Sequence, residues 1–269
     1  MSGAGSHARP DAASPGARPG AAASERPVAL ITGSTRGIGR AVAVRLAADG
    51  YRVVLHGRSE GAAAAAALGA LGGAGHAFVA ADLALADAPE RLFAAAVAAA
   101  GRLDLLVNNA GIYEEAPFSA PSLAAWRGAW RRTLQVNLDA AADLAYLMVQ
   151  HLRGRGGKII QIASRAAFRG ETEFPAYGVS KAGLVNLTIC LARALAGERI
   201  FAYTVAPGWT DTDMGRSSMT DETAVLGQIP FGRMATPEEV AAVVAFLARS
   251  EADYLTGITI DVNGASYFR

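Results

Sequence analysis

The chain has 269 residues, of which 52% are hydrophobic and 18% are charged, and this composition excludes a wholly disordered protein. The 25 basic and 24 acidic residues leave a net charge of +1, which argues against nucleic acid or an anionic membrane as the main partner. The single cysteine, Cys190, excludes an internal disulfide framework and a multi-cysteine metal site. We expect a cytoplasmic globular protein without a metal site, either an enzyme or a ligand-binding domain.

Residues 1–26 are rich in Ala, Gly, Pro and Ser and show no apolar period, which predicts a disordered N-terminal tail. A transit peptide is the alternative, because Arg9, Arg18 and Arg26 have few acidic residues around them. Residues 27–269 are predicted to form one domain.

Short apolar segments alternate with helical segments from Pro27 onward. The pattern predicts strands at 28–32, 51–55, 76–80, 103–107, 158–162, 200–205 and 258–262, with helices at 38–48, 62–71, 89–100, 123–152, 177–196 and 237–249. Apolar strands separated by helices are typical of a parallel sheet that is covered on both faces. The prediction is therefore a single doubly wound α/β domain with a seven-stranded parallel sheet and helices on both faces. No uninterrupted apolar run is long enough to span a bilayer.

A glycine-rich turn separates the first predicted strand from the first helix. Its glycines have the spacing G-x-x-x-G-x-G. Glycine has no side chain, so the backbone of the turn can lie close to a ligand. The turn also leads into a helix, and the free N–H groups at the start of a helix attract phosphate. We predict that a dinucleotide pyrophosphate binds there; the alternative is a tight turn without a ligand. The candidate residues are Gly33, Ser34, Thr35, Arg36, Gly37, Ile38 and Gly39.

Five segments in the same order resemble the short-chain dehydrogenase/reductase family, and most closely its 3-oxoacyl-acyl-carrier-protein reductases. They are the glycine turn, Asn108-Asn109-Ala110-Gly111, Ser164 followed by Tyr177-x-x-x-Lys181, Pro207-Gly208-Trp209-Thr210-Asp211-Thr212, and Asp261-Val262-Asn263-Gly264. The resemblance extends over residues 27–267. It implies a Rossmann-type domain, hydride transfer at a carbonyl or alcohol carbon, fatty acid biosynthesis and a homotetramer.

Tyr177 and Lys181 are four residues apart and share a face of one predicted helix. A phenol has a pKa of about 10, and a neighbouring ammonium, together with the positive charge of an oxidised nicotinamide, would lower it toward the range of a useful general acid. Ser164 can donate a hydrogen bond to the same carbonyl oxygen. The resemblance further implies that Lys181 binds the nicotinamide ribose and that Asn137 holds a water molecule linking Lys181 to solvent. Taken singly, these residues could be a surface pair, a strand-end hydroxyl and a buried amide.

The end of the second predicted strand bears on which nicotinamide cofactor is used. It reads His56-Gly57-Arg58-Ser59, with no acid until Glu60, whereas NAD-specific domains place an acid there for the ribose 2′-OH. Arg58 and Ser59 could bind a 2′-phosphate, and Arg36 could add a second cation, so we predict NADP(H); the alternative is that both arginines are solvated loop charges. His56 itself is interpreted as a strand-end residue, and Cys190 as a buried, inert thiol.

The resemblance also assigns the rest of the dinucleotide. It implies that Asp82 and Leu83 lie at the adenine and Asn109 near the adenosine ribose, and that Thr210 and Thr212 lie near the carboxamide. Ala110, Gly111, Pro207 and Gly208 complete the candidate cofactor site, together with Tyr177 and Lys181.

The predicted function is reduction of a ketone with NADPH, with Tyr177 as general acid and a 3-oxoacyl thioester as leading substrate. Residues 165–174 and 209–230 are expected to form the substrate pocket. Arg153 and Arg155 could receive an acidic acyl carrier protein, or they could complement a helix end. The alternatives are an NADP- or NAD-dependent dehydrogenase of a small alcohol, sugar or steroid, and a non-catalytic regulator that binds a dinucleotide.

Overall fold

The computed structural model describes residues 26–219 and 221–269. The predicted tail lies outside this part, except for Arg26. The Arg26 guanidinium donates hydrogen bonds to the carbonyls of Gly50, Tyr51 and Ala74, so this residue is attached to the domain.

The described chain alternates between strands and helices. The strands are β1 (Val28–Ile31), β2 (Arg52–Gly57), β3 (Ala77–Ala80), β4 (Leu105–Asn108), β5 (Gly157–Ile162), β6 (Ile200–Pro207) and β7 (Thr259–Val262). The α-helices are α1 (Gly37–Ala48), α2 (Ala62–Gly69), α3 (Ala88–Ala100), α4 (Leu123–Leu134), α5 (Ala140–Leu152), α6 (Ala166–Arg169), α7 (Pro175–Leu195), α8 (Asp213–Ser217), α9 (Glu222–Gly227) and α10 (Pro237–Leu247). Turns of 3₁₀ helix lie at Ala196–Glu198 and Ser250–Leu255.

All seven strands pair in parallel, in the order β3-β2-β1-β4-β5-β6-β7. This confirms the predicted doubly wound fold with a seven-stranded sheet. The chain order reverses between β1 and β4, so the connections after these two strands leave to opposite sides and open a crevice at their carboxyl ends. The glycine turn follows β1 and therefore lies in this crevice.

Alternate residues of the central strands enter two separate cores, one on each face of the sheet. Ile31 and Val107 pack with α1 and α10 on one face. Leu30 and Leu106 pack with α3 and α5 on the other. A central parallel strand is therefore apolar at every position, as the burial of all four residues of β1 shows.

The predicted helix at 123–152 is two helices, α4 and α5, joined by a π-helical turn, Gln135–Asp139. The sequence pattern did not reveal this turn, because a single wide turn barely changes the helical period over thirty residues. The short helices α6, α8 and α9 were also not predicted, since each is too short to show an apolar period.

By length and composition alone, the segment Pro175–Glu198 is long and apolar enough to cross a membrane, and it is the one such helix in residues 26–219 and 221–269. This segment is α7 with its final 3₁₀ turn, and it packs against β6 and α6. Its buried face includes Ser180, Lys181, Leu184 and Thr188. We therefore assign it as a core helix of the domain.

Candidate active site

A cavity of about 870 Å³ opens at the carboxyl ends of the central strands. Residues of the glycine turn line it together with Ser164, Tyr177 and Lys181. The predicted cofactor residues that line it are Gly33, Thr35, Arg36, Gly37, Ile38, Arg58, Ser59, Asp82, Leu83, Asn109, Ala110, Gly111, Tyr177, Lys181, Pro207, Gly208, Thr210 and Thr212. Ser34 and Gly39 lie behind the wall, as described below.

The glycine turn is shaped to bring backbone against a ligand. Gly33 and Gly37 have φ of +62° and +53°, in the left-handed region that favours glycine. A Cβ on Gly39 would lie 2.4 Å from both Asn109 Nδ2 and the Gly33 carbonyl oxygen. Arg36, the N-cap of α1, makes no side-chain cap hydrogen bond within the described part of the chain, so the first N–H groups of α1 are available to an anion. The turn therefore fits a dinucleotide pyrophosphate.

Asn109 and Thr32 hold the turn against the end of β4. Asn109 Nδ2 donates to the carbonyls of Thr32 at 2.8 Å and Gly33 at 3.1 Å. Thr32 Oγ1 accepts from the N–H groups of Asn109 and Ala110, each at 2.9 Å. Asn109 also lines the cavity, so it is available for its predicted place near the adenosine ribose.

His56 holds the same turn from the other side. Its Nδ1 accepts from the Gly33 N–H at 3.1 Å, and its Nε2 lies 2.9 Å from the Ala81 carbonyl oxygen. These partners assign the proton to Nε2, and burial keeps the pKa of His56 below its usual value. Ser34 is fully buried, and its Oγ accepts from the His56 N–H at 2.9 Å. Ser34 thus supports the turn from within the protein, and His56 does more than end its strand.

Helix α7 places Tyr177 and Lys181 on one face. Pro175 begins the helix, because its ring fixes φ and the missing N–H would have no partner in a first turn. Lys181 Nζ donates to the Ile162 carbonyl at 2.8 Å and lies 5.6 Å from the centroid of the Tyr177 ring. Burial lowers the pKa of Lys181 to about 8. The pair is therefore part of the cavity wall and not a surface pair.

The acidity of Tyr177 differs from the expectation. Burial raises the pKa of the phenol to about 12, a hydrogen bond with Ser164 lowers it, and the charge of Glu171 raises it. For these residues by themselves the pKa is thus raised and not lowered as expected, because desolvation of the phenolate outweighs the hydrogen bond with Ser164. The Tyr177 hydroxyl is consequently protonated at neutral pH.

The family model described as enoyl-(acyl carrier protein) reductase matches residues 33–265 of the chain. The 3-oxoacyl-[acyl-carrier-protein] reductase FabG of Escherichia coli is 37% identical over 247 residues, which is 90% of this chain and 98% of that protein. The crystal structure of 3-ketoacyl-(acyl-carrier-protein) reductase from Brucella melitensis complexed with NADH has a TM-score of 0.81 and 29% identity, and the match covers 90% of this chain and 98% of that one. A mutant short-chain dehydrogenase/reductase of Serratia marcescens has a TM-score of 0.82 and 32% identity over 89% of this chain and 97% of that one.

The chain belongs to the short-chain dehydrogenase/reductase family. Its glycine turn and its Ser164, Tyr177 and Lys181 therefore belong to an oxidoreductase domain that uses a nicotinamide dinucleotide. The relatives' names refer to reduction of an oxoacyl group, whereas the family description names an enoyl group.

Asn137 lies in the π-helical turn of this short-chain dehydrogenase/reductase and is buried. Its Oδ1 accepts from the Ile112 N–H at 2.8 Å, and its Nδ2 donates to the Ile112 carbonyl at 2.9 Å and to Ser180 Oγ at 3.2 Å. The amide thus joins the π-helical turn to the segment after β4 and to α7. It lies behind the cavity wall, close to Gly111, and its predicted role toward a water molecule stays a prediction.

The residues predicted to select the cofactor lie around the rim. Arg58 and Ser59 are exposed there, and Glu60 also lines the cavity. Arg36 Nη1 lies 3.7 Å from Asp213 Oδ2, and both of these side chains are exposed.

The remaining predicted cofactor residues are held by local hydrogen bonds. Asp82 Oδ1 accepts from the Ala84 N–H at 3.1 Å, next to buried Leu83. Thr210 Oγ1 donates to the Gly208 carbonyl at 3.2 Å, and Thr212 caps α8 by accepting from the Gly215 N–H at 3.1 Å. Both threonines line the cavity, and their predicted place near the carboxamide stays a prediction.

Tyr113, beside Tyr177, was not singled out from the sequence, whereas Phe174 ends the segment 165–174 that was predicted to form the substrate pocket. The Tyr113 ring stacks on Phe174 with centroids 3.7 Å apart and meets the Tyr177 ring edge-on at 4.7 Å. Burial raises the pKa of Tyr113, so this hydroxyl also stays protonated at neutral pH. The sequence could have indicated that Tyr113 lies at the site, since it directly follows the segment Asn108-Asn109-Ala110-Gly111-Ile112.

Cys190 is exposed, which corrects the expectation of a buried thiol. It lies on α7 with Val179 and Ile189, which are also exposed. The apolar surface of α7 is thus wider than the face that packs on the domain. In residues 26–219 and 221–269, no group of three or more His, Cys, Asp or Glu residues could hold a metal ion.

Proposed function

We propose that this protein is an NADPH-dependent carbonyl reductase whose leading substrate is a 3-oxoacyl thioester. The observation that carries the proposal is the position of Ser164, Tyr177 and Lys181 in one cavity with the glycine turn. The names of the oxoacyl reductase relatives support the substrate class.

The chain's own residues suit the reductive direction. When bound, the nicotinamide supplies a hydride to the carbonyl carbon. The Tyr177 hydroxyl donates its proton to the carbonyl oxygen, and the raised pKa keeps that proton in place until the oxygen becomes basic. Ser164 Oγ donates a hydrogen bond to the same oxygen and holds it beside Tyr177. Lys181 is fixed by the Ile162 carbonyl in the position from which it would bind the ribose. Hydride and proton together convert the ketone into an alcohol.

Changing Tyr177 to Phe tests this assignment. We expect kcat for an acetoacetyl thioester to fall by roughly 10²- to 10⁴-fold, because the proton donor is lost, while NADPH affinity stays within about twofold. Tyr254→Phe, at a fully exposed residue outside the cavity, serves as the control and should retain full activity. Steady-state kinetics and fluorescence titration with NADPH measure the two quantities. Full activity in Tyr177→Phe would overturn the proposed mechanism.

The preference for NADPH rests on Arg58 and Ser59, with Arg36 as a second cation, at a rim where β2 ends without an acid. We expect Arg58→Ala to raise the KM for NADPH roughly tenfold, since a charge-assisted hydrogen bond contributes about 1.5–3 kcal/mol, and to leave the KM for NADH unchanged. Arg91→Ala, at an exposed position of α3, is the control. Equal use of both cofactors by the unmodified protein would remove this part of the proposal.

The same proposal includes a cytoplasmic homotetramer that accepts thioesters carried by an acyl carrier protein. Exposed Tyr146 on α5, with Val179 and Ile189 on α7, supports an apolar contact between subunits. Support for a carrier contact is weaker, because Arg155 donates to the His151 carbonyl at 2.7 Å and so completes the end of α5. Arg153 lies 3.9 Å from Glu198.

The second proposal is an NADP- or NAD-dependent dehydrogenase of an alcohol, sugar or steroid. The same catalytic residues support it, because they can also serve the reverse reaction. Oxidation of secondary alcohols that exceeds reduction of the thioester would favour it. A non-catalytic regulator requires cofactor binding without turnover of any carbonyl, although Ser164, Tyr177 and Lys181 are all present.

A further inference from the structure

Arg165 is a buried cation in the wall of the cavity, directly after Ser164. The residue is 5% exposed, and its N–H donates to the Pro207 carbonyl at 2.9 Å, which fixes its backbone beside the end of β6. Its guanidinium carbon lies 5.7 Å from the centroid of the Trp209 ring, and Trp209 also lines the cavity. The side chain therefore belongs to the substrate end of the site.

This cation has no close counter-charge. Among residues 26–219 and 221–269, no carboxylate oxygen lies within 4 Å of the Arg165 guanidinium. Glu171 is the carboxylate whose charge raises the pKa of Arg165. Its Oε1 lies 3.8 Å from Arg169 Nε. Burial lowers the pKa of Arg165, and the charge of Arg169 lowers it further. Buried charges in proteins are normally paired, so an unpaired guanidinium at a cavity indicates that a ligand supplies the partner.

The Arg165 guanidinium has donors to offer such a ligand. A guanidinium carries five N–H donors, and in the described structure one of them, at Nη1, meets an acceptor, Ser266 Oγ, at 2.8 Å. Buried donors normally have acceptors, so the other N–H groups of Arg165, which lines the cavity, favour a substrate with acceptor oxygens.

We propose that Arg165 is a specificity-determining residue that donates to a second oxygen-bearing group of the ketone substrate, placed in a 1,3 relation to the ketone. The ketone oxygen would lie at Ser164 and Tyr177. The second acceptor would lie at Arg165, the residue directly after Ser164. A thioester carbonyl and a carboxylate share this chemistry. The inference rests on the proposed function, because that function places the ketone.

Arg165→Met tests this inference in the full chain, with NADPH and three substrates. An acetoacetyl thioester and acetoacetate carry the second acceptor, and 2-pentanone does not. We expect kcat/KM for the better of the first two to fall roughly 10- to 100-fold, mainly through KM, because binding of a group away from the reacting carbon is lost. We expect kcat/KM for 2-pentanone to change by less than twofold. The larger of the two losses identifies the source of the acceptor.

Ser266→Ala is the matched control, because it removes the acceptor of Arg165 in the C-terminal segment and leaves the guanidinium in place. If Arg165 only attaches that segment, both variants will lose activity on all three substrates equally, and the inference is overturned. An equal loss on all three substrates in Arg165→Met alone overturns it as well, since Arg165 would then act at the ketone oxygen. NADPH affinity within twofold of the unmodified protein shows that each variant is folded.

Calorimetric binding of the same thioester and acetoacetate to the NADP⁺-saturated protein separates this inference from the proposed function. Binding that weakens at least tenfold in Arg165→Met, without turnover in the unmodified protein, would support Arg165 and overturn the reductase assignment. Binding that is the same in both proteins, or not detectable in the unmodified protein, overturns the role of Arg165.

Discussion

At the scale of single residues, His56 shows how one buried side chain supports a ligand site. Its ring bridges the Gly33 N–H and the Ala81 carbonyl, and so joins the glycine turn to the end of β3. The lowered pKa keeps Nδ1 free of a proton and able to accept. A neutral imidazole is thus required for the bond to Gly33, because an imidazolium has donors only.

Replacing His56 with Phe should weaken NADPH binding roughly tenfold, because a buried N–H without a partner costs about 1–3 kcal/mol. His76→Phe is the matched control. The His76 ring also bridges two backbone groups, the Val53 N–H and the Gly72 carbonyl, but away from the glycine turn. Fluorescence titration of each variant with NADPH measures the effect, and equal weakening in both would show that His56 acts only through general stability.

At the scale of elements, the first turn of α1 is packed too closely for any side chain at its third residue. Gly39 faces Asn109 and the Gly33 carbonyl, and this contact joins α1 to β4 and to the turn itself. The close approach makes the turn one rigid unit with the end of β4. It also explains why the spacing of the glycines indicates a ligand-binding turn more strongly than the amino-acid composition of the turn does.

Gly39→Ala should therefore abolish NADPH binding and lower the free energy of unfolding by about 1–3 kcal/mol, as overpacking of a fixed contact does. Gly69→Ala in α2 is the control, because a Cβ there meets nothing within 4 Å. Alanine in a helix is favoured over glycine, so the control should stabilise the protein by about 0.5–1 kcal/mol. Urea unfolding and NADPH titration give both values, and a Gly39→Ala protein with normal cofactor affinity would contradict the packing argument.

At the scale of the whole molecule, the two cores on opposite faces of the sheet make β1 the most enclosed strand. Leu30 is 0% exposed and contacts the core formed with α3 and α5. Because β1 leads directly into the glycine turn, the position of the cofactor site depends on this packing.

Leu30→Ala should lower the free energy of unfolding by about 2–5 kcal/mol, through lost burial and the cavity that remains. Leu85→Ala removes the same atoms from a side chain that is 52% exposed and should change stability by less than about 0.5 kcal/mol. Denaturant unfolding of the two variants provides the comparison. Similar losses in both would mean that the core described for β1 does not set the stability.

The sequence by itself determined the alternation of strands and helices, the glycine turn and the order of the family segments. These features are local, because apolar runs, helical periods and short spacings are written within a few residues of one another. The predicted strand ends differ by a few residues from those in the structure, and no local sequence pattern indicated the π-helical turn at Asn137.

Only the tertiary structure decided the contacts and the electrostatics of the site. His56 meets Gly33 across 23 residues, and Arg165 meets Ser266 across 101. The pKa of Tyr177 rises because burial outweighs its hydrogen bond to Ser164, and burial is a property of the assembled domain. Cys190 is exposed for the same kind of reason, since packing alone determines which side of an apolar helix is covered.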